Sequence, residues 1–131
     1  MDIEVVLEGN KKVAAKFNGY TVHTDQPAAA GGDGTAPSPF ELFLASLATC
    51  AGFFALSFCQ KRDIPTDGIK LTQKMEWDEA KHLASKISLE ISVPASFPEK
   101  YLPGLVKSAE LCTVKRHLQA PPALEITTRR G

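Results

Sequence analysis

Alternating hydrophobic and polar residues predict strands near the amino terminus. Two such runs, Lys12–Phe17 and Tyr20–Thr24, flank the dipeptide Asn18-Gly19. Asn-Gly is a strong hairpin signal, because both central positions of a type I′ turn have positive φ. We therefore predict a hairpin over residues 12–24, with residues 3–8 supplying a neighbouring strand.

The segment from Asp25 to Ser38 consists mostly of Pro, Ala, Gly and Thr. Its glycine-rich run, residues 31–34, lacks the Lys-Ser/Thr pair that follows in a phosphate-binding P-loop. Loops of this length without regular structure are uncommon in compact domains. We interpret the segment as a mobile loop without a nucleotide site.

A long apolar helix follows the loop. Ser38 is the predicted N-cap, Pro39 the first helical residue, and the helix ends near Arg62, ahead of Pro65. No residue from Leu42 to Cys59 carries a charge, which approaches the composition of a membrane span. Several polar or small residues and the amphipathic strands on either side favour a buried central helix instead. One chain of this size can hardly enclose such a helix, so we expect a second copy to help cover it. The large apolar residues form one stripe along the helix (Phe40, Phe43, Leu44, Leu47, Cys50, Ala51, Phe54, Phe58). Small residues form the opposite stripe (Ala45, Ala48, Gly52, Ala55, Cys59).

The second half predicts two further strands, a helical region and a last strand. A helical region opens near residues 96–99, is interrupted at Pro103-Gly104 and resumes to about Leu118, and a short strand runs from Leu124 to Thr128. The order β-β-β-α-β-β-α-β predicts an α+β protein forming a single domain over residues 1–131. The two strands before the helical region each alternate an apolar face with a polar face, and a loop around residues 78–84 joins them (Ile69, Leu71, Met75, Trp77; Ile87, Leu89, Ile91, Val93).

Composition restricts the partners and the compartment. Hydrophobic residues make up 44% of the chain and charged residues 23%, with 15 basic and 15 acidic side chains. A balanced charge argues against nucleic acid as a partner, because that affinity depends on clustered Lys and Arg. The amino terminus carries acids where a secretory signal carries bases, so we expect a soluble cytoplasmic protein without a membrane partner.

Chemistry can come from the cysteines. Cys50 lies in the middle of the apolar helix, where a free cysteine commonly serves as a small hydrophobe. Cys112 is predicted on the second helix with cations one turn later, so the two thiols could form a reversible disulfide. Cys59 is half a helical turn out of phase with Cys50, and we interpret it as structural. A metal site of Cys50, Cys112 and His117 is the other alternative, although no close ligand pair supports it.

The region around these cysteines resembles the OsmC/Ohr family. Pro39-Phe40-Glu41-Leu42 followed by Ala45-Ser46-Leu47-Ala48-Thr49-Cys50 is similar to the family's central-helix motif, and Cys112 matches its second cysteine. The resemblance implies an interlocked homodimer that needs no metal or organic cofactor. It also implies that Cys50 attacks a peroxide and that Cys112 then forms a disulfide which an external thiol reduces, in defence against oxidative stress.

Two departures from the family pattern leave two functions open. The resemblance implies an arginine before the central helix, held by a glutamate, yet no Arg or Lys lies between Phe17 and Phe40. The acid present, Glu41, is displaced by one residue, or about 100° around the helix. One hypothesis is a peroxidase for organic hydroperoxides with Cys50, Cys112 and Glu41 at its site. The alternative is a dimer without turnover that binds a small apolar or thiol-reactive ligand. The candidate replacement cations are His23, Arg62 and Arg116.

Overall fold

The computed structural model describes residues 1–131, whose contacts group into two compact units, Met1–Ala45 and Ser46–Gly131. Single 3₁₀ turns occur at Ala28–Ala30 and Glu99–Tyr101. A single domain over the whole chain stays a prediction. The strands and helices are β1 (Glu4–Gly9), β2 (Lys12–Phe17), β3 (Tyr20–Thr24), α1 (Pro39–Gln60), β4 (Lys70–Asp78), β5 (Leu83–Ser92), α2 (Leu102–Ala109) and α3 (Thr113–Gln119).

The amino-terminal strands form an antiparallel sheet in the order β1-β2-β3. The β2–β3 register runs from Val13 opposite Thr24 to Phe17 opposite Tyr20. The two residues between these strands, Asn18 and Gly19, have φ values of 48° and 79°. The predicted hairpin is therefore confirmed, with positive φ at both turn positions.

The loop after β3 is organised around one buried carboxylate, which differs from the mobile loop predicted. Asp25 is fully buried and accepts a hydrogen bond of 2.6 Å from the Thr35 hydroxyl and one of 3.1 Å from the Thr35 backbone N–H. The backbone N–H groups of Gln26 and Asp33 donate to the same carboxylate. These donors, the Thr35 hydroxyl above all, hold the pKa of Asp25 well below its ordinary value. A carboxylate that accepts several hydrogen bonds fixes the loop backbone around it.

Helix α1 is only partly covered within this chain. In the carboxy-terminal unit it buries Ala51, Ala55, Phe58 and Cys59. Other apolar residues of α1 remain open, such as Phe53, which is 58% exposed. By length and composition α1 could cross a membrane, since an 18-residue window has a mean hydropathy of 2.0 and only 22% of it is buried. A core helix of a soluble protein passes the same test, so the exposed face of α1 is the feature that needs an explanation.

The predicted second strand pair is confirmed. Strands β4 and β5 are antiparallel, from Lys70 opposite Ser92 to Asp78 opposite Leu83, with an irregularity after Glu76. Their connecting loop is residues 79–82, shorter than predicted. The apolar face of this sheet is covered near its start by the core and opens toward the tip, where Trp77 is 43% exposed.

The predicted second helical region divides at a different place. Pro103 lies in the first turn of α2, where its missing N–H has no helical partner to lose. The helices α2 and α3 are instead separated at residues 110–112. The prediction that Cys112 lies on a helix is therefore wrong. Cys112 is the N-cap of α3, and its sulfur accepts a hydrogen bond of 3.4 Å from the Lys115 backbone N–H.

The predicted last strand, Leu124 to Thr128, is absent. Residues 120–131 have no regular structure, and Leu124 and Ile126 are 89% and 99% exposed. A strand forms only where a neighbouring edge satisfies its backbone N–H and C=O groups, and this segment pairs with neither sheet. The observed order is β-β-β-α-β-β-α-α, and the α+β class is confirmed.

The core of the carboxy-terminal unit holds α1 and α2 together. Aromatic and aliphatic side chains from both helices meet residues of the connecting segments, and Ile91 on β5 packs against the group. Its buried members are Ala55, Phe58, Cys59, Ile64, Phe97 and Leu105. This packing leaves Leu47 of α1 in contact with Cys112, which follows α2.

Candidate active site

The structure brings the Cys50 and Cys112 thiols together. Cys50 lies on α1 and is partly exposed, whereas Cys112, at the start of α3, is 1% exposed. Both are free thiols, and their sulfur atoms are within hydrogen-bonding reach of each other. The Cys112 sulfur also lies 3.8 Å from the Leu47 carbonyl oxygen, one turn before Cys50 on α1. Two residues that are 62 positions apart in the sequence thus share one site.

The surroundings of Cys50 favour its thiolate form. Burial raises the pKa of Cys50, but hydrogen bonds from the Val114 backbone N–H, the Cys112 thiol, and the backbone N–H and hydroxyl of Thr113 lower it. The donors prevail, and the pKa of Cys50 lies below the ordinary value of 9.0. Donors that bind the charged form of an acid stabilise it without a cation. The first turn of α3 therefore lowers the pKa of Cys50.

The surroundings of Cys112 act in the opposite direction. Burial raises the pKa of Cys112, and the hydrogen bond and negative charge of Cys50 raise it further, while the Lys115 backbone N–H offsets part of this. Of the two thiols, Cys50 is therefore the one that loses its proton more readily. A thiolate beside a neutral thiol is the protonation pattern of a nucleophile and its resolving partner.

None of the three candidate cations is among the largest contributions to the pKa of Cys50. His23 lies in the amino-terminal unit, with its ring nitrogen 3.2 Å from a Glu8 oxygen. The Arg62 guanidinium stacks on the Phe58 ring, 3.7 Å from the ring centroid, and donates to the Phe58 carbonyl oxygen. Arg116 is exposed on α3. The largest contributions that lower the pKa of Cys50 come from hydrogen-bond donors.

Glu41 takes part in a capping box at the start of α1. Its backbone N–H donates to the Ser38 hydroxyl oxygen at 3.2 Å, and its carboxylate accepts from the Ser38 backbone N–H at 3.0 Å. The backbone N–H and then the hydroxyl of Ser38 lower the pKa of Glu41. This reciprocal arrangement satisfies free backbone donors of the first helical turn. These contacts place Glu41 in the amino-terminal cap of α1, the helix that also carries Cys50.

Two further predicted residues lie apart from the thiol pair. Cys59 belongs to the core and is 1% exposed, and burial raises its pKa while Arg62 offsets part of the effect. His117 makes a hydrogen bond of 2.7 Å with the Thr113 carbonyl oxygen. No group of three or more His, Cys, Asp or Glu side chains is arranged to hold a metal ion.

A cavity of about 490 Å³ lies within the carboxy-terminal unit, and Cys112, but not Cys50, forms part of its wall. Three charged residues, Lys86, Glu110 and Lys115, also line it. Most of the remaining wall is aliphatic (Leu47, Ala51, Ala84, Ile87, Leu89, Ile91, Val106, Ala109, Leu118). A space of this size and character suits a small, largely apolar molecule.

The sequence analysis missed the donors Thr113 and Val114. A signal was available, because two consecutive β-branched residues after Cys112 weaken a continuous helix and favour a break before them. A break at that point exposes backbone N–H groups of a new first turn, which are the donors that Cys50 meets.

Comparisons with known proteins agree on one family. The profile of the family described as OsmC-like protein matches residues 32–127, which is more than half of the chain. No curated protein matches the chain significantly. Among solved structures, the chain resembles an OsmC-like protein from Mycoplasma pneumoniae, with 16% identity, a TM-score of 0.72, and 92% of this chain and 87% of that chain covered.

A second similar structure is the organic hydroperoxide resistance protein OhrB of Bacillus subtilis, with 23% identity and a TM-score of 0.53. The match covers 89% of this chain and 90% of that chain. At identities this low the structural similarity shows a shared OsmC/Ohr-like fold, and the family profile shows the family. The chain belongs to the OsmC-like protein family.

Proposed function

We propose that the protein is a thiol-dependent peroxidase that reduces organic hydroperoxides through Cys50 and Cys112. The single observation that carries the proposal is the pairing of Cys50 on α1 with Cys112 at the start of α3, with the pKa of Cys50 lowered and that of Cys112 raised. The thiolate is the reactive form of cysteine, and a neutral thiol beside it is ready to resolve the oxidised product.

The reaction proceeds in three balanced steps. The Cys50 thiolate attacks the outer peroxide oxygen, the O–O bond breaks, and the products are Cys50 sulfenic acid and an alkoxide, which takes a proton from water to become the alcohol. The Cys112 sulfur then attacks the Cys50 sulfur, forming a disulfide and releasing water. A dithiol reductant restores both thiols by two successive exchanges and leaves as its own disulfide. Neither a metal nor an organic cofactor enters these steps.

The cavity beside Cys112 supports an organic substrate. Its aliphatic wall offers an alkyl or aryl group a place out of water, while Lys86 and Lys115 can meet polar atoms of the same molecule. Hydrogen peroxide has no apolar group to bind there. We expect turnover to be faster with a bulky organic hydroperoxide than with hydrogen peroxide.

A homodimer is part of the proposal. Members of the OsmC/Ohr family are homodimeric, and this chain exposes apolar side chains that a second copy would cover. Phe53 and Leu56 on α1 are 58% and 41% exposed, and Leu124 and Ile126 in the carboxy-terminal segment are more open still. Exposed apolar surface of this extent marks interaction sites. Dimer formation would cover the open face of α1, and we place such a soluble dimer in the cytoplasm.

A peroxidase assay tests the catalytic claim. Purified protein is mixed with cumene hydroperoxide and either dithiothreitol or a dithiolipoyl protein, and the loss of hydroperoxide is followed. We expect turnover that the Cys50→Ser variant lacks and that the Cys59→Ser variant retains, because Cys59 lies in the core away from the thiol pair. Wild-type turnover no faster than that of Cys50→Ser would end the proposal.

The cavity also favours a second candidate function, which is ligand binding without turnover. A space of about 490 Å³ with a largely aliphatic wall can retain a small apolar or thiol-reactive molecule whether or not the thiols react with peroxide. Native mass spectrometry of the purified protein would then show a retained ligand or adduct. Rapid peroxidase turnover would exclude this candidate.

A further inference from the structure

Contacts between α1 and the α2 region recur every four residues. Phe58 meets Gly104, Phe54 meets Ser108, and Cys50 meets Cys112. Residue numbers decrease along α1 in the same direction in which they increase along the α2 region, as expected where two helices run antiparallel. Four residues are about one helical turn, so the three contacts mark one line along the interface. The thiol pair is the last contact of this line.

The first contact is sterically exacting. A Cβ atom on Gly104 would lie 2.9 Å from two ring carbons of Phe58. That ring cannot withdraw easily, because the Arg62 guanidinium stacks 3.7 Å above its centroid and the Tyr101 ring meets it edge-on at 6.2 Å. A side chain at position 104 would therefore push α2 away from α1.

The middle contact is a hydrogen bond. The Ser108 hydroxyl donates to the Phe54 carbonyl oxygen at 2.9 Å, across 54 positions of sequence. Ser108 precedes Cys112 by one turn, and Phe54 follows Cys50 by one turn. The bond fixes both the separation of the helices and their position along the common axis, because a shift in either direction lengthens it.

We propose that Gly104 and Ser108 are positioning residues, which set the register of α2 on α1 and thereby hold Cys112 beside Cys50. The inference rests on the proposed pairing of the two thiols and adds the residues that maintain it. Neither residue touches the sulfurs. Loss of either contact should displace Cys112, and displacements of about 1 Å can slow a reaction about a hundredfold.

Disulfide formation with diamide tests the inference separately from peroxide chemistry. Diamide takes up the two electrons and two protons of the thiols and becomes a hydrazine while one S–S bond forms. The rate of Cys50–Cys112 bond formation is followed by peptide mapping. We expect Gly104→Ala to form the bond at least about tenfold more slowly than wild type. Adding Phe58→Leu should restore most of the rate while lowering the melting temperature further, because the smaller side chain removes the collision.

Position 108 supplies an independent pair of variants. Ser108→Ala should slow bond formation and Ser108→Thr should restore it, because threonine keeps the donor to the Phe54 carbonyl. Ile64→Val, which loosens the same core without touching the line of contacts, is the control for general destabilisation. Wild-type rates in both Gly104→Ala and Ser108→Ala would overturn the inference, as would equal slowing in Ile64→Val. A peroxidase assay that fails while the diamide pattern holds would remove the proposed function and leave the positioning role.

Discussion

Replacing Thr113 by valine tests how the Cys50 thiolate is stabilised. Valine keeps the shape of threonine and its helix behaviour at the first position of α3 but lacks the hydroxyl that hydrogen-bonds to the Cys50 sulfur. The backbone donors of residues 113 and 114 remain. The pKa of Cys50 should therefore rise in Thr113→Val while the fold is unchanged.

The expected shift of the Cys50 titration midpoint follows from the free energy of one hydrogen bond. A hydrogen bond to a charged group contributes about 1.5–3 kcal/mol, and about 1.4 kcal/mol corresponds to one pH unit in a titration midpoint. The Cys50 sulfur is partly exposed, so water replaces some of the lost interaction and the lower end applies. We expect the titration midpoint of Cys50 to move upward by about one pH unit.

The midpoint is measured from the rate of iodoacetamide labelling of the Cys50 peptide as a function of pH. Thr72→Val provides a matched control, because it makes the same replacement at an exposed position on β4. A wild-type profile that already has its midpoint above the ordinary thiol value, or a Thr113→Val profile that coincides with wild type, would refute the reasoning.

Four other substitutions have distinct expected outcomes. Cys112→Ser should leave Cys50 as a sulfenic acid after one equivalent of hydroperoxide, which dimedone labelling and mass spectrometry detect, whereas wild type should give little adduct. Ser38→Ala removes the N-cap contact with the Glu41 backbone and should lower the free energy of unfolding by about 1 kcal/mol in a urea titration, with no change in Cys50 labelling. The pKa of Cys59 is raised by burial, so its contribution to stability is full below the ordinary value of 9.0 and is lost as the pH rises through its folded value. Cys59→Ala should therefore lose less stability than wild type between about pH 9 and pH 11, which thermal unfolding measures. Equal slopes of melting temperature against pH in the two proteins would contradict a buried, neutral Cys59 thiol. Asp25→Asn replaces a carboxylate that accepts four hydrogen bonds, and it should speed hydrogen exchange of the Thr35 backbone N–H. Unchanged exchange would show that the loop does not depend on the carboxylate.

Local rules predicted the elements whose partners are close in sequence. The Asn18-Gly19 turn specifies its hairpin because both residues accept positive φ, and Ser38-Pro39 specifies the start of α1 because one caps and the other fits the first turn. The period-two pattern of β4 and β5 was sufficient because a short loop leaves them little choice but to pair. The helix pattern offered the cysteine pair only as a possibility, and the family motif singled it out, since spacing says nothing about contacts over such a distance.

Features that depend on distant partners were not predictable in this way. Helix propensity alone does not place the break between α2 and α3 at residues 110–112, because the break is stabilised by a sulfur cap and by contact with Leu47 on another helix. The buried Asp25 was read as an ordinary loop residue, since its donors become neighbours only after the loop folds back on itself. The absent last strand shows the reverse case, in which an apolar alternating pattern has no edge to join within one chain.

The most direct test of the thiol-pair mechanism is to treat the fully reduced protein with one equivalent of cumene hydroperoxide and to map its disulfides by mass spectrometry. The account predicts that Cys50 and Cys112 become linked to each other, with the loss of two hydrogens, while Cys59 stays reduced in the core. If the hydroperoxide persists and both thiols remain free, or if the disulfide joins two molecules through other cysteines, the proposed mechanism is contradicted.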